Sequence, residues 1–166
     1  MLRVDLGELQ RKGRLRIDGI VTAVDPLLAG LDLPGGLDVR LEASQVGRDV
    51  LVRGRLGGEA VLECRRCLKP LRGPFDEEVT FLYRSGLSAV EAEAEEVYVL
   101  ADRAREIDLT QAVREHVILA VPQYPLCDEA CRGLCPHCGA DLNQGPCSCS
   151  SKRADPRWAA LQQDTE

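Results

Sequence analysis

Between residues 14 and 84, apolar and polar side chains take turns along the chain with a period of two. Leu15, Ile17 and Val21 alternate with Arg14, Arg16 and Asp18; Leu37, Val39, Leu41 and Ala43 alternate with Asp38, Arg40, Glu42 and Ser44. Val79, Phe81 and Tyr83 repeat the pattern. That period sends one set of side chains to a core and the other to water, so these segments predict antiparallel strands. Pro34-Gly35-Gly36 marks a turn, and Gly57-Gly58, between Val50–Leu56 and Glu59–Glu63, reads as a two-residue hairpin. Ser85 to Glu96, where Glu91, Glu93, Glu95 and Glu96 crowd together, reads as a solvated loop or as an acidic surface for a basic partner.

After Asp108 the period becomes helical. Leu109, Ala112, Val113, Val117, Ala120 and Val121 recur at helical spacing, with Asp108 as the N-cap candidate. Pro122 ends this helix and Pro125 keeps the following chain extended. Glu115 and His116 fall inside it, and a single helical histidine is ordinarily a boundary residue. Asp155-Pro156-Arg157-Trp158 predicts a second, short helix, because proline at a first helical position has no N–H left unsatisfied. Trp158 and Leu161 are then placed to dock on the body of the fold. The expected class is α+β: an antiparallel β-sheet domain with one main helix over residues 1–125, then a Cys-rich zinc-binding tail with a short terminal helix over 126–166.

The length of 166 residues suits about one domain. Twenty-one Lys and Arg against 27 Asp and Glu leave a net charge of −6, which excludes a polycation that coats nucleic acid as a whole. Any RNA contact must use a local basic patch. Six aromatic residues (two Phe, three Tyr, one Trp) are too few for a multi-ring base-stacking platform besides a core. The amino terminus lacks a signal-like apolar run, and the longest nearly uncharged stretch, Val117 to Leu126, is about half a membrane span. A cytoplasmic protein without membrane contact is expected.

In that compartment, eight cysteines read as metal ligands more readily than as disulfides. Cys64-Arg65-Arg66-Cys67 and Cys135-Pro136-His137-Cys138 have knuckle spacing, in which both thiolates of a tight turn reach one ion. Gly139 lets the second turn close. Cys147 and Cys149 point the same way in an extended segment, and Cys127 and Cys131 suit one face of a helical turn. The preferred partition puts Cys135, Cys138, Cys147 and Cys149 on one zinc and leaves Cys64, Cys67, Cys127 and Cys131 for a second. The competing partition puts Cys127, Cys131, Cys135 and Cys138 on one ion and strands the other two pairs. His137 is expected to point away from the metal.

Four thiolates per ion leave no open coordination position, which argues against zinc hydrolysis. Cys64-x-x-Cys67 lacks the helix that a thioredoxin-type motif opens, and Gly54-Arg55-Leu56-Gly57 lacks the helices that flank the clamp of a KH domain. No phosphate loop, nucleophile elbow or carboxylate–histidine constellation is present, so no enzyme and no small-molecule substrate are expected. Arg65, Arg66, Lys69 and Arg72 surround the first cysteine pair. They either neutralise a zinc–tetrathiolate or contact RNA phosphates. Arg11, Lys12, Arg14 and Arg16 near the start, and Lys152, Arg153 and Arg157 near the end, are positioned in sequence to extend such a patch.

The segments Leu62–Pro70, Ile107–Pro122, Pro125-Leu126-Cys127, Cys131–Asn143 and Asp155-Pro156-Arg157 together resemble the YceD family of large ribosomal RNA subunit accumulation proteins. They span roughly the second half of the chain; residues 1–60 match only in their strand-rich character. The resemblance implies a ribosome biogenesis role supporting accumulation of 23S ribosomal RNA, with the pre-ribosomal large subunit, 23S rRNA or a basic ribosomal protein as partner. It implies no reaction and no catalytic residue, and it carries the cysteines over as zinc ligands. Members that lack much of the Cys-rich tail imply that the Cys64–Cys67 knuckle lies closer to the shared function.

Overall fold

The computed structural model describes residues 2–94 and 97–149. In chain order these form strand β1 (Arg3–Asp5), helix α1 (Leu6–Lys12), β2 (Arg14–Val21), a 3-10 turn at Pro26–Leu28, β3 (Leu37–Val46), β4 (Asp49–Glu63), β5 (Pro70–Ser85), α2 (Ala89–Ala94), β6 (Tyr98–Leu100), β7 (Glu106–Asp108) and α3 (Thr110–Ala120). The described chain is mostly sheet with a few helices. Five strands lie in the order β2-β3-β4-β5-β6, and β1 pairs with β7 in a second, two-stranded sheet. The segment around Asp155, with the expected docking of Trp158 and Leu161, lies outside the described residues.

The alternation read from sequence becomes the two faces of the large sheet. Val39, Leu41, Val52, Leu56, Val79 and Phe81 are buried, and Leu9, Leu109, Val113 and Val117 join them in one core. The other face carries charge, with Arg55 donating from Nε and Nη2 to Asp76 and from Nη1 to Glu78 on the neighbouring strand. Exposed cross-strand pairs of this kind contribute at most about 1 kcal/mol. They favour the register without deciding it.

Three expectations are corrected. Gly57 and Gly58 form no hairpin; they sit inside β4, with Gly57 opposite Asp38 and Asp76 and Gly58 opposite Leu37 and Phe75. A Cβ at Gly58 would meet the Phe75 ring at 3.1 Å and the Gly36 carbonyl at 3.2 Å, so glycine here answers a close approach and not a turn. The β4–β5 connection falls instead on Cys64–Lys69. The sheet is also not wholly antiparallel, because β6 runs parallel to β5. Residues 85–94 are not simply loop: Ser88 and Glu91 form a reciprocal cap at the start of α2, the Ser88 N–H and hydroxyl donating to Glu91 at 2.9 and 2.7 Å, while Glu95 and Glu96 lie outside the described residues.

The helix expected after Asp108 begins at Thr110, whose N–H donates to Asp108 Oδ1 at 2.9 Å, and it ends before Pro122. Two short elements carried signals that periodicity did not register. Asp5 accepts from Glu8 N–H at the start of α1, and Gly13 closes that helix at φ 73°.

Candidate metal centres

β4 and β5 pair in one long hairpin whose inner register runs from Val50–Tyr83 to Glu63–Pro70. Past Leu37, the first residue of β3, the hairpin continues as a two-stranded arm, and Cys64 and Cys67 form its tip. The tip turn is closed by Leu68 N–H to Cys64 C=O and by Cys64 N–H to Lys69 C=O, both 2.9 Å. Cys135–Cys138 makes the same turn, with Gly139 N–H to Cys135 C=O at 2.9 Å and Cys135 N–H to Ala140 C=O at 2.8 Å. Local hydrogen bonding thus aims two sulfurs inward at each turn.

The tertiary fold supplies the other sulfurs. Cys64, Cys67, Cys127 and Cys131 converge in one group and Cys135, Cys138, Cys147 and Cys149 in another, the sulfurs of each lying within 4.8 Å of one another. The competing partition, with Cys127 and Cys131 on the same ion as Cys135 and Cys138, is not the one observed. Cys64, Cys67, Cys131 and Cys135 are buried, and all eight thiols are free. The Cys64–Cys131 and Cys67–Cys127 sulfur separations are 3.9 and 3.5 Å. Four sulfurs at the corners of a zinc tetrahedron with bonds of about 2.3 Å stand about 3.8 Å apart, so either group can hold such an ion.

The electrostatics of each group are asymmetric. Burial opposes charge on Cys64, yet the N–H groups of Cys127, Cys67 and Arg66 bring its thiol down to about 6. Cys135 also falls to about 6, through the N–H groups of Cys138 and His137. The neighbouring sulfurs of Cys67 and Cys131, and then burial, push Cys127 up to about 12; Cys138 and then burial do the same to Cys149. Like charges packed this closely ionise together only when a cation joins them.

The four basic residues near the first pair all have partners within the chain. Arg65 donates through Nε to the Gln123 carbonyl at 2.9 Å and lies 5.8 Å from the Tyr124 ring centroid. Arg66 donates to the carbonyls of Glu129 and Cys131 at 3.0 and 2.9 Å. Lys69 pairs with Asp141 at 3.3 Å, and Arg72 with Glu59 at 2.6 Å. Three of these four residues, Arg65, Arg66 and Lys69, fasten the hairpin tip to residues 123–141. His116 sets its ring edge-on against Phe81 and belongs to neither cysteine group.

Residues that spacing did not single out complete the scaffold. Asn143 donates to Cys131 sulfur at 3.5 Å and accepts from Arg132 N–H at 2.8 Å. Asp141 receives the Asn143 N–H and side-chain amide, which with Lys69 hold its carboxyl down to about 2. Leu134 N–H donates to Arg66 C=O at 3.1 Å, tying the second turn to the first. Among the described residues the apolar packing here is slight: Cys64, Cys67 and Cys131 cluster with only Leu71 and Leu134, apart from the main core.

Fold and site together define a sheet protein whose hairpin tip and following segment are gathered around two tetrathiolate groups competent to hold metal. The chain belongs to the YceD family: the family model described as large ribosomal RNA subunit accumulation protein YceD matches residues 52–163. An uncharacterized protein of Mycobacterium tuberculosis is 35% identical over 165 residues, covering 96% of this chain and 79% of that protein. An uncharacterized protein of Mycobacterium leprae is 36% identical over 128 residues, covering 77% of this chain and 58% of its own. The chloroplastic large ribosomal RNA subunit accumulation protein YCED homolog 1 of Arabidopsis thaliana is 37% identical over 57 residues, covering 34% of this chain and 18% of that protein. No solved structure matches the chain. Among the described residues, no helix is long and apolar enough to cross a membrane.

Proposed function

We propose that this protein is a non-catalytic, zinc-stabilised binding factor that supports accumulation of large-subunit (23S) ribosomal RNA in the cytoplasm. The observation that carries the reading is the family match over 52–163, a span that includes all but the first residues of the long hairpin and all eight cysteines. Zinc, when bound, supplies charge neutralisation and a crosslink, and four sulfurs per ion leave no position for water or substrate. The chain's own residues do the remaining work. Arg65, Arg66 and Lys69 lock the tip to the segment after α3, and their exposed faces, with that of Arg72, offer a basic edge to pre-ribosomal RNA phosphate.

The test is depletion of the protein in its native host, with the ratio of large- to small-subunit rRNA as readout. The ratio should fall and be restored by the natural chain but not by a Cys64→Ser, Cys135→Ser double variant. An unchanged ratio rejects the reading. Direct RNA contact is tested separately by Arg72→Glu with Lys69→Glu, which should weaken binding of an rRNA fragment and flatten its salt dependence. An unaltered slope removes the RNA contact from the proposal.

The net charge of −6 favours a second reading, an adaptor that holds a basic ribosomal protein without touching RNA. Capture of such a protein by a chain whose RNA affinity is nil would select it.

A further inference from the structure

Away from the cysteines, polar groups gather in one large cleft of about 920 Å3 between β5, β6, α2 and α3. Glu93, Asp108 and Glu115 line it, and among the described residues no Lys or Arg does, Arg3 approaching the Asp108 carboxylate to 3.7 Å from outside the lining. One wall is aromatic. Tyr83 and Tyr98 stack with ring centroids 5.2 Å apart, and Phe81 meets Tyr98 edge-on at 6.0 Å. Glu115 is held in place, accepting from the Tyr98 hydroxyl and from the Gln111 amide, both at 2.9 Å.

Tyr83 differs from its neighbour. It is 5% exposed, and its hydroxyl has no hydrogen-bond partner among the described residues. Since no wholly buried side-chain N or O there goes unpaired, this oxygen keeps some exposure, and Tyr83 lines the cleft. A phenol this enclosed, its oxygen still accessible, presents both a donor and an acceptor to a group that enters. Asp108 and Glu115 line the same cleft as this phenol, so a group that enters meets the hydroxyl and carboxylates together.

These features select a ligand by charge and shape. A phosphate is repelled by three carboxylates, of which only Asp108 has a basic neighbour, Arg3, and that one lies outside the lining. A planar guanidinium has N–H donors enough for the Tyr83 oxygen and a carboxylate together, and it lies well against aromatic rings. The volume is of the size that holds a ligand larger than one side chain. We propose that the cleft is a docking site for an arginine-bearing segment of a basic protein, with one guanidinium seated between Tyr83, Asp108 and Glu115. The inference rests on the adaptor reading for its class of partner and names the place where that partner binds.

The experiment uses the full chain and a fluorescein-labelled hexa-arginine peptide, read by anisotropy at fixed ionic strength. Glu93→Gln with Glu115→Gln should weaken binding about tenfold, and Tyr83→Phe, which removes only the hydroxyl, about threefold or more. Glu59→Gln with Glu77→Gln, outside the cleft, should leave affinity within about twofold. Thermal melts and ring-proton spectra verify that each variant is folded, and the Tyr98 and His116 ring signals should shift as peptide is added. Equal weakening by cleft and control pairs overturns the cleft while leaving the adaptor reading intact. No peptide binding by the natural chain rejects both. Weaker binding of a labelled RNA oligonucleotide by Tyr83→Phe would assign the cleft to nucleic acid and overturn the proposal.

Discussion

Leu68 and Gly139 occupy the same position in two cysteine turns, each following the second cysteine with a left-handed backbone, φ 59° and 72°. Glycine suits that conformation; leucine is strained by about 1–2 kcal/mol there. Leu68 is also 58% exposed, so packing does not repay its strain. Gly139→Leu should therefore lower the stability of the metal-loaded protein by about 1–2 kcal/mol. Leu68→Gly should leave it unchanged or raise it by up to about 1 kcal/mol, the gain being reduced by the greater freedom of glycine in the unfolded chain. Calorimetric melts check both signs, and a large loss in Leu68→Gly would contradict the equivalence.

Elemental analysis of freshly purified protein should return two zinc ions per chain, matching the two four-sulfur groups. Cys64→Ser and Cys135→Ser should each retain one. A structural zinc contributes an apparent ~10–16 kcal/mol near neutral pH. Chelation should therefore abolish hydrogen-exchange protection around 126–149, where apolar packing is slight, while amides of β3 and β4 remain protected by the main core. Simultaneous loss of both regions would show that the metal sites hold the whole sheet.

Metal affinity should rise with pH from about 6 to about 9. Cys64 and Cys135, held down to about 6, are thiolates at neutral pH and offer the ion a first ligand. Cys127 and Cys149, pushed up to about 12, give up protons only as the ion arrives, so each binding event releases protons. The metal-free fold follows the same signs. The lowered thiols contribute stability that is fully present above the unfolded value near 9 and lost as pH falls through about 6. The raised thiols contribute stability present below about 9 and lost as pH climbs through about 12. Competition with a chromophoric chelator across this range measures the slope; a flat profile would contradict it.

Arg66 and Arg72 carry the same charge in the same arm and should behave differently. Arg66→Ala removes donors from the Glu129 and Cys131 carbonyls and should hasten metal loss from the Cys64 group alone. Arg72→Ala breaks an exposed pair with Glu59 and should change stability by less than about 1 kcal/mol. Stopped-flow metal transfer separates the two, and equal rates would mean that the Arg66 contacts do not hold the ligand loop.

Much of this architecture is legible in residue order because it depends on short separations. Val39 and Leu41 read as inward, and Arg40 and Glu42 as outward, because a strand alternates whatever surrounds it. The end of α3 reads from Pro122, whose missing N–H cannot extend a helix. The caps of α1 and α2 were written in Asp5…Glu8 and Ser88…Glu91, though helices of seven and six residues are too short for periodicity to register. Gly57-Gly58 misled because a glycine pair carries the same local signal whether it turns the chain or admits a Phe75 ring.

The sequence by itself determined which cysteines form knuckles, since three-residue spacing and a closing turn are local properties of the chain. Only the tertiary structure decided that Cys64 and Cys67 meet Cys127 and Cys131, because that depends on where α3 returns the chain along the β4–β5 arm. It likewise turned the Arg66 side chain toward the Glu129 and Cys131 carbonyls and left the Tyr83 hydroxyl without a partner among the described residues. Neither is readable from residue order, because a side chain's partners are set by which distant backbone and side-chain groups the fold brings within a few ångströms of it.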